Sequence, residues 1–288
     1  MKHSLGNIRT CTNRVLNQPR SEGWEKDMSE SVLRYEVKDH VGVITLTRPE
    51  VMNSLNYQSY LEFEDTVRGC TARVLIITGE GRAFCAGDDV KQILGSSEPP
   101  PKEFVERSKK SAGLTPLADA LLHTDIPIIA AVNGPAVGWG MELALMADIR
   151  VASENAKFGE LFVIRGLCCD APGFGRLAQL VGREKAAELL FTGEIIDSQT
   201  ALAIGLVSRR VPHDELMPTA FALAARIAGN PPLAVQALKA GLRRTLDPDW
   251  QDTGRWAIEK IRELRQTEDS KEGVRAFLEK RAPVYVGR

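Results

Sequence analysis

Two glycine-rich segments of the chain have the residue types expected where a strand turns into a helix. They are residues 83–91, AFCAGDDVK, and residues 133–142, NGPAVGWGME. The backbone N–H groups at a helix start have no partner within the helix and carry a partial positive charge, and glycine lets another molecule approach closely. Each segment therefore predicts a site for a developing oxyanion, although glycine before a helix is also common for purely steric reasons.

Glu142 adds a carboxylate to the second of these segments. It is flanked by Met141, Leu143 and Leu145. Burial among such side chains should raise the pKa of Glu142 and suit it to proton exchange. The alternative interpretation is a glutamate that the helix dipole alone favours in the first helical turn.

Short apolar strands and helices alternate around these segments. The pattern predicts a β-hairpin over 32–47, strands over 74–78, 126–132 and 149–152, and helices over 57–70, 141–148, 183–191, 198–204, 216–228 and 233–245. Such alternation indicates an α/β architecture with buried, largely parallel strands. The helical spacing of the last third indicates a mostly helical C-terminal region.

The composition excludes several classes of protein. With 43% hydrophobic and 26% charged residues and a formal net charge of −1, the 288 residues fit one large core and give no general affinity for nucleic acid. No apolar run reaches the roughly 20 residues that a membrane helix needs, so we expect no membrane partner. The five cysteines show no metal-ligand spacing, so we expect reduced thiols and no metal site.

From Leu33 nearly to the C-terminus, the chain resembles the enoyl-CoA hydratase/isomerase, or crotonase, superfamily. The pieces that carry the resemblance, in order, are RPEVMNSLN near residue 50, AFCAGDDVK at 83, PIIAAVNGPAVGWGMELALMADIRVAS from 127, KFGE at 157, GLVSRRV at 205 and EGVRAFLEKRAP at 272. The resemblance implies a crotonase-like ββα superhelix and an acyl-CoA thioester as substrate, with coenzyme A part of that substrate and no separate cofactor. It also implies homotrimers, usually paired into hexamers.

The resemblance further implies that two main-chain amides hold the thioester carbonyl oxygen. They would belong to Asp88, which follows Ala86 and Gly87, and to Trp139. The family usually has glycine at the position of Trp139, so the indole either walls the acyl pocket or restricts the substrates that fit. The alternative is that Trp139 serves core packing alone.

Coenzyme A contacts are implied at both ends of the chain. Ala86 and Gly87 would lie against the acyl-CoA, and Lys91, one turn into the predicted helix, would meet phosphate or pantetheine groups. Phe277 and Lys280 match positions that contact coenzyme A in this family, often from the neighbouring subunit. Alternatively, Lys91 is a solvated lysine on a helix. Phe277 and Lys280, at helical spacing, could likewise be one packed aromatic and one exposed cation.

The acid groups decide between two reactions of the family. Glu142 matches the first of the two glutamates that hydratases use, but the second would fall at Phe162. Glu160, two residues earlier on a segment taken as extended, is displaced by about 6–7 Å and is a poor substitute. Asp170 stands where dienoyl-CoA isomerases carry an extra acid, although it could instead cap the following turn.

Double-bond migration needs only proton removal and return along an enolate. We therefore predict isomerisation of an enoyl- or dienoyl-CoA by Glu142 and Asp170. Hydration and non-catalytic acyl-CoA binding are the alternatives.

Three parts of the chain are predicted. Residues 1–31 form a disordered leader, residues 32–212 the crotonase-like α/β core, and residues 213–288 a helical trimerisation region. The first 27 residues are basic and rich in Ser, Thr and Asn, which fits a transit peptide weakly. We expect a cytoplasmic protein, or one of the mitochondrial matrix if the leader is a transit peptide.

Overall fold

The computed structural model describes residues 31–111 and 113–288, and the leader predicted at the N-terminus lies outside them except for Ser31. Six strands form the larger sheet, in the order β1-β2-β3-β4-β6-β9. They are β1 (Leu33–Lys38), β2 (Val41–Leu46), β3 (Val74–Gly79), β4 (Ile128–Val132), β6 (Ile149–Ser153) and β9 (Arg209–Val211). The predicted hairpin is confirmed as the antiparallel β1–β2 pair, and every other neighbouring pair in this sheet is parallel.

The parallel strands are continuous apolar runs because they are covered on both faces. Every residue of β4 is buried, as are the first five of β3. One face of the sheet packs against the helix Leu216–Ala228, whose small residues Ala220 and Ala224 let it lie close to Val74 and Ile129. The main core lies on the other face.

A second, three-stranded sheet consists of β5 (Pro135–Val137), β7 (Lys157–Gly159) and β8 (Ile196–Asp197), with β7 between the other two. The sequence pattern did not predict it, because strands of two or three residues are too short to show a period of two. The prediction that a strand turns directly into a helix within residues 133–142 is therefore wrong. The strand β4 ends at Val132, and β5 intervenes before the helix begins.

Eleven α-helices lie within the described residues. They are α1 (Tyr57–Arg68), α2 (Lys102–Lys110), α3 (Pro116–His123), α4 (Trp139–Met146), α5 (Ala171–Val181), α6 (Arg183–Thr192), α7 (Ser198–Ala203), α8 (Leu216–Ala228), α9 (Pro232–Leu246), α10 (Trp250–Leu264) and α11 (Glu268–Leu278). The six predicted helices correspond to α1, α4 and α6 to α9. The mostly helical C-terminal region is confirmed. None of the helices in this described part is long and apolar enough to cross a membrane.

Candidate active site

The two glycine-rich segments lie side by side because the first pairs with β5. Phe84 N and Cys85 N both donate to Pro135 O, at 3.1 and 3.0 Å, and Val137 N donates to Cys85 O at 3.1 Å. Residues 84–85 therefore run parallel to β5, with Cys85 opposite Ala136. This pairing brings the residues after Cys85 to the start of α4.

Gly87 makes the closest approach between the two segments. Its φ is +87°, and a Cβ built on it would lie 2.8 Å from Val137 O and 3.1 Å from Trp139 N. Any other residue would be strained in this conformation and would collide with the backbone at the start of α4. Gly87 therefore allows residues 86–88 to lie against Trp139.

The N–H groups of Asp88 and Trp139 are free to bind a ligand. Leu55 N donates to Gly87 O and Asp89 N donates to Leu55 O, both at 2.8 Å, which leaves the N–H of Asp88 between them unused. Trp139 is the first residue of α4, where a backbone N–H has no acceptor in the helix. Within the described residues neither N–H has a protein acceptor, an arrangement suited to a carbonyl oxygen that gains negative charge.

The Trp139 side chain is buried, and its indole makes a polar contact. Nε1 donates to Asp170 Oδ2 at 2.8 Å, and the ring meets Tyr60 edge-on with 4.8 Å between centroids. Only 2% of the residue is exposed. Core packing alone therefore does not account for Trp139, because its indole binds one of the two predicted acids.

Glu142 is completely buried and is bound to the start of α5. Its Oε1 accepts from Asp170 N at 3.0 Å and its Oε2 accepts from Gly173 N at 2.7 Å. Burial and the neighbouring carboxyls of Glu160 and Asp170 raise its pKa well above the ordinary value, against the lowering effect of the two N–H groups. The dipole of α4 alone does not explain its position, because its carboxylate binds the N–H groups that begin another helix.

Asp170 precedes α5 in an extended conformation, but its side chain does not cap that helix. The alternative interpretation as a turn cap is therefore wrong. Burial and the nearby charge of Asp88 raise the pKa of Asp170 to about 6, while the hydrogen bond from Trp139 acts in the opposite direction. A carboxyl with this pKa changes its charge close to neutral pH.

Asp88 contributes a carboxyl as well as a backbone N–H. Its Oδ1 accepts from Tyr60 OH at 2.6 Å. Burial raises its pKa to about 6, although the hydrogen bond from Tyr60 and the charges of Arg265 and Arg165 favour the ionised form. No function of this side chain is predicted from the sequence, and nothing in the spacing of Tyr60 and Asp88 points to their contact.

Glu160 is a third buried carboxyl beside Glu142 and Asp170. Both of its oxygens are buried and have no hydrogen-bond partner within the described residues, and burial followed by the charge of Asp170 raises its pKa well above the ordinary value. The sequence predicts Glu160 to be a poor substitute for the second glutamate because an extended segment is expected there. However, β7 ends at Gly159, and Phe162 has α-helical backbone angles (φ −65°, ψ −42°) before a 3-10 turn, so the expectation of an extended segment is wrong.

The predicted coenzyme A contacts are more dispersed. Lys91 is exposed on a short π-helical turn, Val90–Leu94, in place of the predicted regular helix. Phe277 lies on α11, half exposed, with the guanidinium of Arg165 4.6 Å from its ring centre. Lys280 lies past the end of α11 with φ +55°, so the helical spacing predicted for it is wrong. The helix ends before it, where Arg281 N bonds back to Ala276 O.

A surface cleft of about 390 Å³ lies between Gly95 and α11. Its basic lining residues are Arg265, Lys271 and Arg275, and Leu278 contributes an apolar side. Neither Lys91 nor Lys280 lines it. Among residues 31–111 and 113–288, no group of three or more His, Cys, Asp or Glu side chains could hold a metal ion.

Residues 36–288 match the family model for enoyl-CoA hydratase/isomerase. A putative enoyl-CoA hydratase/isomerase of Bacillus subtilis is 37% identical to this chain and aligns over 90% of it and 100% of its own length. A crotonyl-CoA hydratase of Syntrophomonas wolfei is 36% identical, over 88% of this chain and 97% of its own length.

Solved structures show the same fold. Carnitinyl-CoA hydratase from Mycobacterium avium matches with a TM-score of 0.80 and 35% identity, covering 90% of this chain and all of that one. An enoyl-CoA hydratase/isomerase from Pseudoalteromonas atlantica matches with a TM-score of 0.78 and 29% identity, covering 88% and 100%. The predicted crotonase fold is therefore confirmed, and the chain belongs to the enoyl-CoA hydratase/isomerase family as an enzyme of the crotonase superfamily.

Proposed function

We propose that this enzyme moves a carbon–carbon double bond in an enoyl- or dienoyl-CoA thioester. The observation that carries the proposal is the juxtaposition of two carboxyls, of Glu142 and Asp170, with the backbone N–H groups of Asp88 and Trp139, which have no acceptor in the described part of the chain. The two N–H groups would stabilise an enolate oxygen, and the two carboxyls would move the proton.

The two carboxyls suit different roles in this reaction. Asp170, with a pKa of about 6, is ionised at neutral pH and acts as the base that removes a proton from the carbon next to the thioester. The electron pair moves onto the thioester oxygen between the two N–H groups. Glu142, whose pKa is raised by burial and by the neighbouring carboxyls, acts as the acid that delivers a proton to the γ-carbon. The two carboxyls together carry one proton before turnover and one proton after it. The reaction therefore needs no separate cofactor.

Hydration is the second candidate, and a specific observation favours it. Glu160 is a buried carboxyl beside Glu142 that has no hydrogen-bond partner among the described residues, and these two carboxyls could activate a water and deliver a proton. The relatives and structures named as hydratases add to its support. Against it, the position of the second family glutamate holds the apolar Phe162, which would tend to exclude the attacking water.

Coenzyme A would be bound by the cleft beside α11. Arg265, Lys271 and Arg275 place three cations around it, as the phosphates of coenzyme A require. Arg265 also donates to Ile93 O at 3.1 Å, which links the end of α10 to the segment that follows Asp88. Lys91, Phe277 and Lys280 remain proposed contacts, and a neighbouring subunit of a trimer or hexamer could supply the last two.

The proposed function is tested by measuring the incorporation of deuterium and of ¹⁸O from solvent into 2-enoyl-, 3-enoyl- and 3,5-dienoyl-CoA. In deuterium oxide the wild-type enzyme should exchange carbon-bound protons and shift the double bond, and in ¹⁸O-labelled water it should incorporate little oxygen. Glu142→Gln should reduce the double-bond shift on the order of 10²- to 10⁴-fold, while Asp170 can still exchange the proton next to the thioester. Glu36→Gln, at an exposed glutamate on β1, is the control and should match the wild type.

The outcomes separate the candidates. Rapid ¹⁸O incorporation without a double-bond shift would reject isomerisation and leave hydration. Tight binding of the thioesters without either reaction would reject both and leave an acyl-CoA-binding protein.

A further inference from the structure

We infer that the indole of Trp139 is a positioning group that holds the carboxylate of Asp170 for proton transfer. Trp139 would then serve the site twice, with its backbone N–H on the enolate oxygen and its indole N–H on the base. The inference rests on the proposed function for the role of Asp170, but the contact itself can be tested without turnover.

The start of α5 explains why Asp170 is available to the indole. A residue at the N-cap position usually accepts from the N–H of the second or third helical residue. In α5 the second residue is Pro172, which has no N–H, and the N–H of the third, Gly173, is donated to Glu142 at 2.7 Å. Both capping donors are therefore unavailable to Asp170, and its side chain accepts from Trp139 Nε1 at 2.8 Å instead.

Packing fixes the orientation of the indole. Its ring meets the Tyr60 ring at 81° with 4.8 Å between centroids, and the Tyr60 ring also meets Phe104 at 5.7 Å. Tyr60 is itself held by its hydrogen bond to Asp88. Trp139 and Tyr60 are both almost fully buried, so the indole cannot rotate away from Asp170 without repacking this cluster.

The charged surroundings of Asp170 give the indole an electrostatic role. The titratable groups near it are Asp88, Glu142, Glu160, Tyr60, Cys168 and Cys169. All of these are neutral or negative, so they favour the protonated form of Asp170 or leave it unchanged. Among the described residues, the indole N–H is the one side-chain donor to this carboxylate, and it stabilises the ionised form that acts as a base.

A direct readout is the indole ¹H–¹⁵N resonance of Trp139 in the full-length protein. The chain has four tryptophans, and the Trp139 signal is identified by its loss in Trp139→Phe. In the wild type it should shift with pH, with a midpoint near the pKa of about 6 of Asp170. The shift should vanish in Asp170→Asn, which cannot ionise, and persist in Trp256→Phe, a change at a half-exposed tryptophan on α10.

The second readout is the pH profile of proton exchange. Trp139→Phe keeps the backbone N–H and an aromatic ring but removes the donor. The pKa of Asp170 should therefore rise, and the acid limb of the profile should move upward by on the order of one pH unit, about a fivefold loss of rate at pH 6. In Trp256→Phe the limb should stay in place, because that residue does not touch Asp170.

Two results would overturn the inference. One is a Trp139 resonance that does not titrate, or that titrates equally in Asp170→Asn. The other is an acid limb at the same pH in Trp139→Phe and the wild type. A wild type that exchanges no substrate protons would instead reject the proposed function, and the resonance experiment would still decide whether the indole senses Asp170.

Discussion

Trp139 occupies the first position of α4, and this position allows a sharp test of its backbone N–H. Proline is tolerated at the first position of a helix, because the N–H there has no partner within the helix. Trp139→Pro should therefore fold while lacking the proposed oxyanion donor. Trp139→Ala is the matched control, because it also loses the indole but keeps the N–H.

Loss of one oxyanion donor typically lowers the rate on the order of 10²- to 10³-fold. We therefore expect kcat/KM of Trp139→Pro to be lower than that of Trp139→Ala by this factor, with similar circular dichroism spectra. Equal kcat/KM values for two folded variants would show that the backbone of Trp139 does not bind the reacting oxygen.

At the scale of residues, the candidate site residues could be predicted from the sequence more readily than the contacts between them. Glu142 and Gly87 lie in segments whose glycines and order are informative by themselves. Glu160 was not predicted as a site residue, because a three-residue strand gives no pattern that would predict the turn after Gly159. The Tyr60–Asp88 contact joins residues 28 positions apart, and only the tertiary fold brings them together.

At the scale of elements, Arg150 fixes the end of α4 opposite to the candidate site. The residue is buried on β6, and its guanidinium donates to Ala144 O, Ala147 O and Leu206 O at 3.3, 2.7 and 2.8 Å. Two of these bonds reach Ala144 O in the last turn of α4 and Ala147 O just after it. The third reaches Leu206 O, so the guanidinium links the end of α4 to the segment before β9. Burial lowers the pKa of Arg150 to about 10, so it remains charged at neutral pH.

Arg150→Met should retain most of the volume while removing the donor to the buried carbonyls of Ala147 and Leu206, whereas Ala144 O keeps its bond from Ala147 N. Since each such loss costs roughly 1–3 kcal/mol, we expect the free energy of unfolding to fall by at least about 2 kcal/mol, measured by urea denaturation. Arg209→Met, at an exposed arginine of β9, is the control and should change it by less than about 0.5 kcal/mol. A similar small change in both variants would contradict this account of the end of α4.

Length alone did not decide which elements were predicted, because α5, α10 and α11 have 11, 15 and 11 residues and were not among the predicted helices. The helices α8 and α9 and the strands β3 and β4 coincide with their predictions to within two residues at each end. The second sheet was missed because its strands have only two or three residues. The π-helical turn after Asp89 is also short, and the Asp89 side chain caps it by accepting from Gln92 N. Both omissions fall beside the candidate site, where short and irregular segments bring distant residues together.

At the scale of the whole molecule, α9 presents an apolar stripe to solvent. Leu238, Leu242 and Leu246 are 70%, 57% and 59% exposed and follow each other at intervals of four residues, so they lie along one side of the helix. Contiguous exposed apolar surface of this kind commonly marks a protein–protein interface. The stripe lies in the region 213–288 for which trimerisation is predicted, and we propose that a second copy of this chain covers it.

The corresponding test changes the charge of this stripe. The wild type should have a mass in solution of three or six times 31.6 kDa, as measured by light scattering after gel filtration. The double substitution Leu238→Glu with Leu242→Glu should shift it toward 31.6 kDa, because carboxylates buried at an interface without partners are strongly unfavourable. Ala237→Glu, an exposed residue on another side of α9, should leave the mass unchanged. A wild type that is monomeric, or a folded double variant with the wild-type mass, would show that α9 does not hold the subunits together.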